Sequence, residues 1–419
     1  MIGFIIGAIK IIILLGFLIF IHEFGHFTVA KLCKVKVNEF ALGFGPTIFK
    51  KQGKETKYVL RLIPFGGFVS MEGEVEKSNE AGAFNKVSIP KRIAIVAAGG
   101  LVNIIFAICV FLPLQVAVGD NVTTKVESTI PEYAAEVCGI QPGDVIKKIN
   151  GKNVKILSDV NEIMENSEGK ELTLLIERNG KEFEQKVTPT AENYYTTGMY
   201  FDSKDSTKVQ GFTANDSIES QGFKIGDTII SIAGKNVEND VDKISEVVEE
   251  HLGEEKINFV VRRMGQEISI DANLISKVRY KLGIKFAKAE DNLANRLYYG
   301  FINTGDFAFS IVENLKQLFS GKVRTSDFIG PVGISKAVAK TNGIASFITM
   351  LTLISLSLGV TNLLPFPPLD GGKIVLLIIE AIRKKPLEEK YEVGIQMIGF
   401  GLMIMLSIYI TYHDILRIV

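Results

Sequence analysis

Residues 17–30, FLIFIHEFGHFTVA, set two histidines and a glutamate inside a run otherwise suited to lipid. Ionisable groups in hydrocarbon are costly, and they mark function by default. The run lies in and just beyond the first of four apolar stretches, at 2–21, 93–118, 344–364 and 395–410. A bilayer core takes about 20 apolar residues as helix, so the spacing predicts four transmembrane helices. The first stretch carries one charge, Lys10, expected to snorkel to the outer interface; the second and third carry none. The other reading of the first stretch is a cleaved signal peptide. It lacks a basic start and a small-residue cleavage site, and its helical pattern runs past residue 22.

Short-loop charges set the orientation. Residues 31–61 hold eight basic groups against Glu39 and Glu55, Lys91 and Arg92 precede the second stretch, and Arg383, Lys384 and Lys385 follow the third. By the positive-inside rule both loops face the cytoplasm, which leaves both termini and the region 119–343 outside. The 47 basic and 47 acidic residues cancel, so no electrostatic case exists for nucleic acid as a partner. Cys33, Cys109 and Cys138 show no CxxC spacing, which argues against a disulfide framework or a cysteine metal site.

The outer region repeats itself. GIQPGDVIKKINGKNV at 139–154 and GFKIGDTIISIAGKNV at 222–237 share nine of sixteen positions, 83 residues apart. That period is too long for a solenoid and suits two small tandem domains. Gly-Asp before an apolar run and Asn-Gly after it is turn, strand, turn chemistry. The stretch AAEVCGIQPGDVIKKINGKNV resembles the core of a bacterial PDZ domain, and the second copy resembles it less closely because Ala233 stands where the first has Asn150. The resemblance implies two α+β modules that take extended peptides or chain ends by strand addition. Rigid spacers that bind nothing are the other reading.

On a helix, residues four apart share a face, so His22 and His26 can present imidazoles to one ion with Glu23 beside it. A catalytic zinc takes three protein ligands and keeps one position for water. Glu23 is then placed to take that water's proton and hand it to a leaving amine. Of the chain's other two histidines, His251 lies in a polar stretch and His413 at the outer end of the last span. Across 341–379 the ionisable side chains are Asp370 and Lys373, in TNLLPFPPLDGGKIV. That segment begins at the depth of HEFGH, and its prolines and glycines break the helix. Asp370 is therefore expected as the third ligand.

HEFGH in the first span, GFGP and RLIPFGGFVSMEG in the cytoplasmic loop, the PDZ-like modules, and NLLPFPPLDGG after the third span together resemble the site-two protease family. The resemblance covers nearly the whole chain. It implies a membrane-embedded zinc metalloprotease of the bacterial inner membrane, with Zn2+ on His22, His26 and Asp370 and Glu23 as acid/base. It also implies that Asn362 positions substrate or stabilises the oxyanion, and that single-pass membrane proteins are the substrates. The loop TKYVLRLIPFGGFV resembles a hairpin dipping into the membrane, which would bring Pro64, Phe65, Gly66, Gly67 and Phe68 to substrate. A plain basic loop is the other reading.

The expected fold is thus a polytopic α-helical membrane protein with four transmembrane helices and two extracytoplasmic PDZ-like α+β domains. Its segments fall at 1–31, 32–90 (the hairpin loop), 91–118, 119–200 and 201–280 (the modules), 281–343, 344–382 and 383–419. Residues 292–320 have amphipathic spacing that suits either the membrane face or the modules. Two rival functions remain: a non-catalytic scaffold gathering partners through its PDZ modules, and an ion transporter. The glutamate of HEFGH argues against the first, and the apolar mid-spans argue against the second.

Overall fold

The computed structural model describes residues 2–418 apart from 75, 77, 119–120, 204–205, 214–216, 252–253, 255, 320–329, 340, 342 and 386–387. The chain forms two compact units, one mainly Met1–Gln115 and Phe328–Asp414, the other mainly Val116–Asn303.

Among the described residues of the first unit, four helices are long and apolar enough to cross a membrane: Gly7–Leu32, Ile89–Val118, Gly343–Asn362 and Lys390–Tyr412. Each expected stretch falls on one of them. Small residues let the first three approach, as apolar helices in lipid require. A Cβ on Gly25 of the first span would lie 2.6 Å from the Ala98 carbonyl oxygen of the second. Gly100 and Gly359 bring the second and third spans equally close, since a Cβ on either would lie 2.8 or 2.6 Å from the other's carbonyl oxygen. Lys10 finds backbone partners for its charge. Its Nζ donates to the Thr341 carbonyl at 2.7 Å, just past the short helix Pro331–Ala339.

The loop after the first span is a hairpin of Val37–Gln52 and Lys57–Met71. Residues 39–42 pair on one side with 67–70 and on the other with 57–60. This leaves 67–70 as an edge, and among the described residues no other strand pairs with it. Phe44, Ile48, Phe49, Leu60, Leu62 and Ile63 are exposed along the hairpin, an apolar surface that suits lipid.

The described residues of the second unit form two five-strand sheets of the same order, each with a short extra strand. The first runs Lys181–Val187, Leu172–Arg178, Val145–Ile149, Val122–Thr129, Ile284–Lys288. The second runs Gln266–Ala272, Ile257–Arg263, Thr228–Ile232, Ser206–Phe212, Met199–Ser203. The strand that completes the first sheet therefore comes after the whole second repeat, so the sheets are nested and do not follow as consecutive blocks. A two-strand ribbon, Thr190–Thr196 with Ile275–Lys281, carries the chain out and back. The Gly-Asp turns have one architecture in both copies. Asp144 and Asp227 are buried, each takes a guanidinium Nε at 2.7 Å from Arg178 or Arg263, and each accepts a backbone N–H from three residues earlier. Asn150 and Ala233 both adopt φ of 48° before a glycine. That left-handed conformation is natural to asparagine and uncommon for alanine, which is why the second copy looks weaker as sequence.

The amphipathic stretch is the helix Leu293–Phe319. At its start Arg296 donates to the Ala117 carbonyl at 3.1 Å and Asn303 to the Asn121 side chain at 2.8 Å. Leu297, Tyr298, Phe301 and Phe309 remain exposed.

Candidate metal centre

His22 and His26 sit one turn apart on the first span, and their Nε2 atoms approach to 3.2 Å. Asp370 reaches them from the far end of the chain. The third span ends at Asn362, because Pro365, Pro367 and Pro368 cannot continue it. A new helix, Asp370–Arg383, begins at the aspartate itself. Gly371 and Gly372 lie inside this helix and allow it to fold against its own approach. A Cβ on Gly371 would lie 2.2 Å from the Leu364 oxygen, and one on Gly372 would lie 2.6 Å from the Pro367 nitrogen. Asp370 Oδ2 then stands 3.3 Å from His22 Nε2 and 3.4 Å from His26 Nε2. The three ligand atoms lie within 4.8 Å of one another.

The second span makes the space. A Cβ on Gly99 would lie 2.3 Å from His26 Nε2 and 2.8 Å from His22 Nε2, so a side chain there would occupy the point where the three groups meet. One turn earlier, the Ile95 carbonyl is 2.9 Å from His26 Nδ1. A carbonyl can only accept, so Nδ1 carries the proton and the neutral ring keeps a lone pair at Nε2. Asp370 Oδ2 is buried and makes no hydrogen bond although two ring nitrogens are near it. The His26 Nε2 lone pair, the Asp370 carboxylate oxygen and the second imidazole face one point and make a donor set that a cation can fill. Two imidazoles and one carboxylate, three ligands in all, suit a zinc with an open position.

A cavity of about 270 Å³ opens onto this cluster. Glu23 lines it, as do Gly67, Phe68 and Val69 of the hairpin's edge strand. A Cβ on Gly67 would lie 2.9 Å from Glu23 Cγ, so the edge backbone lies directly against the expected acid/base. Among the other expected site residues, Gly66 and Asn362 do not line the cavity. Asn362 is half-buried at the end of the third span, and the side chains of Pro64 and Phe65 lie outside the described set. His251 caps the helix Val241–Glu250, with Nδ1 2.8 Å from the Val247 carbonyl. The side chain of His413 is outside the described set.

Three polar residues outside the expected site also line the cavity. Glu74 and Lys373 form an ion pair at 2.6 Å, and Gln396 reaches the cavity from the fourth span. Gln396 had a signal, since it is an amide in an apolar helix. Gly399, one turn on, holds that helix close, because a Cβ there would lie 2.0 Å from the Pro367 oxygen. Arg92 at the head of the second span grips Glu380 with two bonds of 2.6 and 3.0 Å, which ties that span to the helix carrying Asp370.

Comparison with known proteins agrees with this chemistry. The family described as Peptidase family M50 matches residues 10–406. A Vibrio cholerae protein is 31% identical, with 98% of each chain covered. The regulator of sigma E protease of Haemophilus influenzae is 27% identical, over 97% of this chain and 98% of its own. The zinc metalloprotease RasP of Oceanobacillus iheyensis is 26% identical, over 98% of this chain and 99% of its own.

Proposed function

The chain belongs to peptidase family M50 and is a zinc metalloprotease, and we propose that it hydrolyses peptide bonds within the transmembrane segments of single-pass membrane proteins. The observation that carries this reading is the meeting of His22, His26 and Asp370 at one end of the first apolar span, with Glu23 beside them. The metal is proposed to be held by those three side chains. A zinc ion held there would supply Lewis acidity toward a water and the scissile carbonyl.

Glu23 takes the proton from the attacking water and returns it to the leaving amine as the C–N bond breaks. Asn362 is assigned to substrate positioning or to the oxyanion, where a neutral amide donor suits. A helix hides its peptide bonds, so substrate must unwind first. The free edge at 67–70 offers it a strand partner against the cavity.

Positive loops support a multi-pass protein of the bacterial inner membrane with both termini outside. The two repeated modules are assigned as extracytoplasmic PDZ-like domains that filter substrates by size or read a trimmed end. Anti-sigma factors and remnant signal peptides are the substrate classes that fit. The test is product mapping by mass spectrometry on a detergent-solubilised single-pass substrate. Cuts inside the apolar segment support the reading, and cuts confined to flanking polar sequence contradict it.

A further inference from the structure

The second span faces the imidazoles with a stripe of three residues one turn apart: Ile95, Gly99 and Asn103. Ile95 offers a carbonyl to His26 and Gly99 offers space. Asn103 is fully buried, and its amide nitrogen lies 3.5 Å from His22 Nδ1. Its backbone is fixed, because Ser355 Oγ of the third span donates to the Asn103 carbonyl at 2.9 Å. Its side-chain oxygen, also buried, has no partner. A buried amide oxygen left unpaired costs about 1–3 kcal/mol.

The oxygen and nitrogen of an amide have nearly the same shape, and their assignment follows from the hydrogen-bond network. Exchanging them turns the orphaned oxygen toward His22 Nδ1 and pairs it with a ring proton. In the opposite arrangement the amide donates to Nδ1, the ring proton moves to Nε2, and His22 can no longer offer a lone pair to an ion. The exchanged orientation pairs the buried oxygen and leaves His22 a lone pair for the ligand set, with the amide nitrogen taking the oxygen's former place.

We propose that Asn103 is a positioning residue for His22, accepting the Nδ1 proton through its side-chain oxygen and so holding Nε2 unprotonated toward the metal. The two rings are then oriented by acceptors from one face of one helix, Ile95 for His26 and Asn103 for His22. This rests on the zinc reading above.

The experiment compares wild type, Asn103→Leu and Asn103→Asp in detergent, measuring zinc affinity by competition with a chelator and folding by circular dichroism. Leucine keeps the volume and removes the acceptor, while aspartate keeps the acceptor and removes the donor. Loss of an outer-shell partner costs about 10–100-fold in metal affinity, so Asn103→Leu is expected to weaken zinc by that factor while remaining folded. Asn103→Asp is expected to stay within about threefold of wild type, as a carboxylate partner should. Wild-type affinity in Asn103→Leu overturns the proposal, and so does equal loss in both variants, which would make Asn103 a packing residue or a donor. A wild type that binds no zinc would instead overturn the underlying metal assignment.

Discussion

Asp370 Oδ2 stands 3.3 Å from His22 Nε2, although the two residues come from opposite ends of the chain. The same oxygen stands 3.4 Å from His26 Nε2, so both imidazoles face it. The contact persists because Gly371 and Gly372 let one helix begin against its own approach, and Gly99 leaves the meeting point empty of side chain. Asp370→Ala should therefore leave the helices in place and weaken zinc by more than the about 100-fold that loss of an outer-shell group can cost. Atomic absorption on the purified variant measures it, and full zinc content would mean that another group completes the site.

Gly99→Ala tests the same space from the other side. The added methyl would meet His26 Nε2 at 2.3 Å and His22 Nε2 at 2.8 Å. Overpacking of a filled interior costs about 1–3 kcal/mol, so the protein should fold with a lowered melting temperature. Zinc binding should be lost. Retention of stoichiometric zinc would show that the rings sit elsewhere.

The hairpin edge makes a different prediction. Gly67 touches Glu23 but ligates nothing, and a Cβ there would lie 2.9 Å from Glu23 Cγ and 3.0 Å from the Ala41 carbonyl oxygen. Gly67→Ala should push the strand off the acid/base and lower the cleavage rate at least tenfold, with zinc content unchanged. A fall in zinc to match would place the defect in the metal cluster instead.

In the second unit, Glu192 binds Arg279, Lys281 and Tyr133, and the Arg279 guanidinium beside it holds its carboxyl down to about 2. A carboxylate whose folded pKa is depressed stabilises the fold above its ordinary value of 4.5 and loses that contribution as pH falls toward about 2. The protection of strand 190–196 against hydrogen exchange, relative to the unfolded chain at the same pH, should accordingly fall between those pH values in wild type. In Glu192→Gln this acid dependence should be weaker. An identical pH profile in both proteins would remove Glu192 as the cause.

The meeting of His22, His26 and Asp370 was legible in the sequence because its signals are local twice over. HEFGH is one helical turn, and the aspartate is one of two charged groups in a long apolar segment. The four candidate spans were legible for the same reason, as length and charge mark them without tertiary information. The nested order of the sheets was not, because strand Ile284–Lys288 carries no mark saying that it pairs back to Val122–Thr129 across the whole second repeat. The surroundings of the cluster were likewise hidden. Asn103, Glu74 and Gln396 are single polar residues whose meaning depends on which face of their segment turns inward, and only packing decides that. The partners of Lys10 were hidden in the same way, since nothing in the sequence marks the Ala339 and Thr341 carbonyls that it meets.

The central claim is that Glu23 moves the proton at a metal held by His22, His26 and Asp370. Glu23→Gln tests it most directly, because the amide keeps the size of the side chain and cannot act as a base. Cleavage of a single-pass substrate and zinc content are measured on the same detergent-solubilised sample. The account predicts wild-type zinc with cleavage reduced by at least about 100-fold, the lower range for a lost general acid–base. Undiminished cleavage with zinc in place would contradict it.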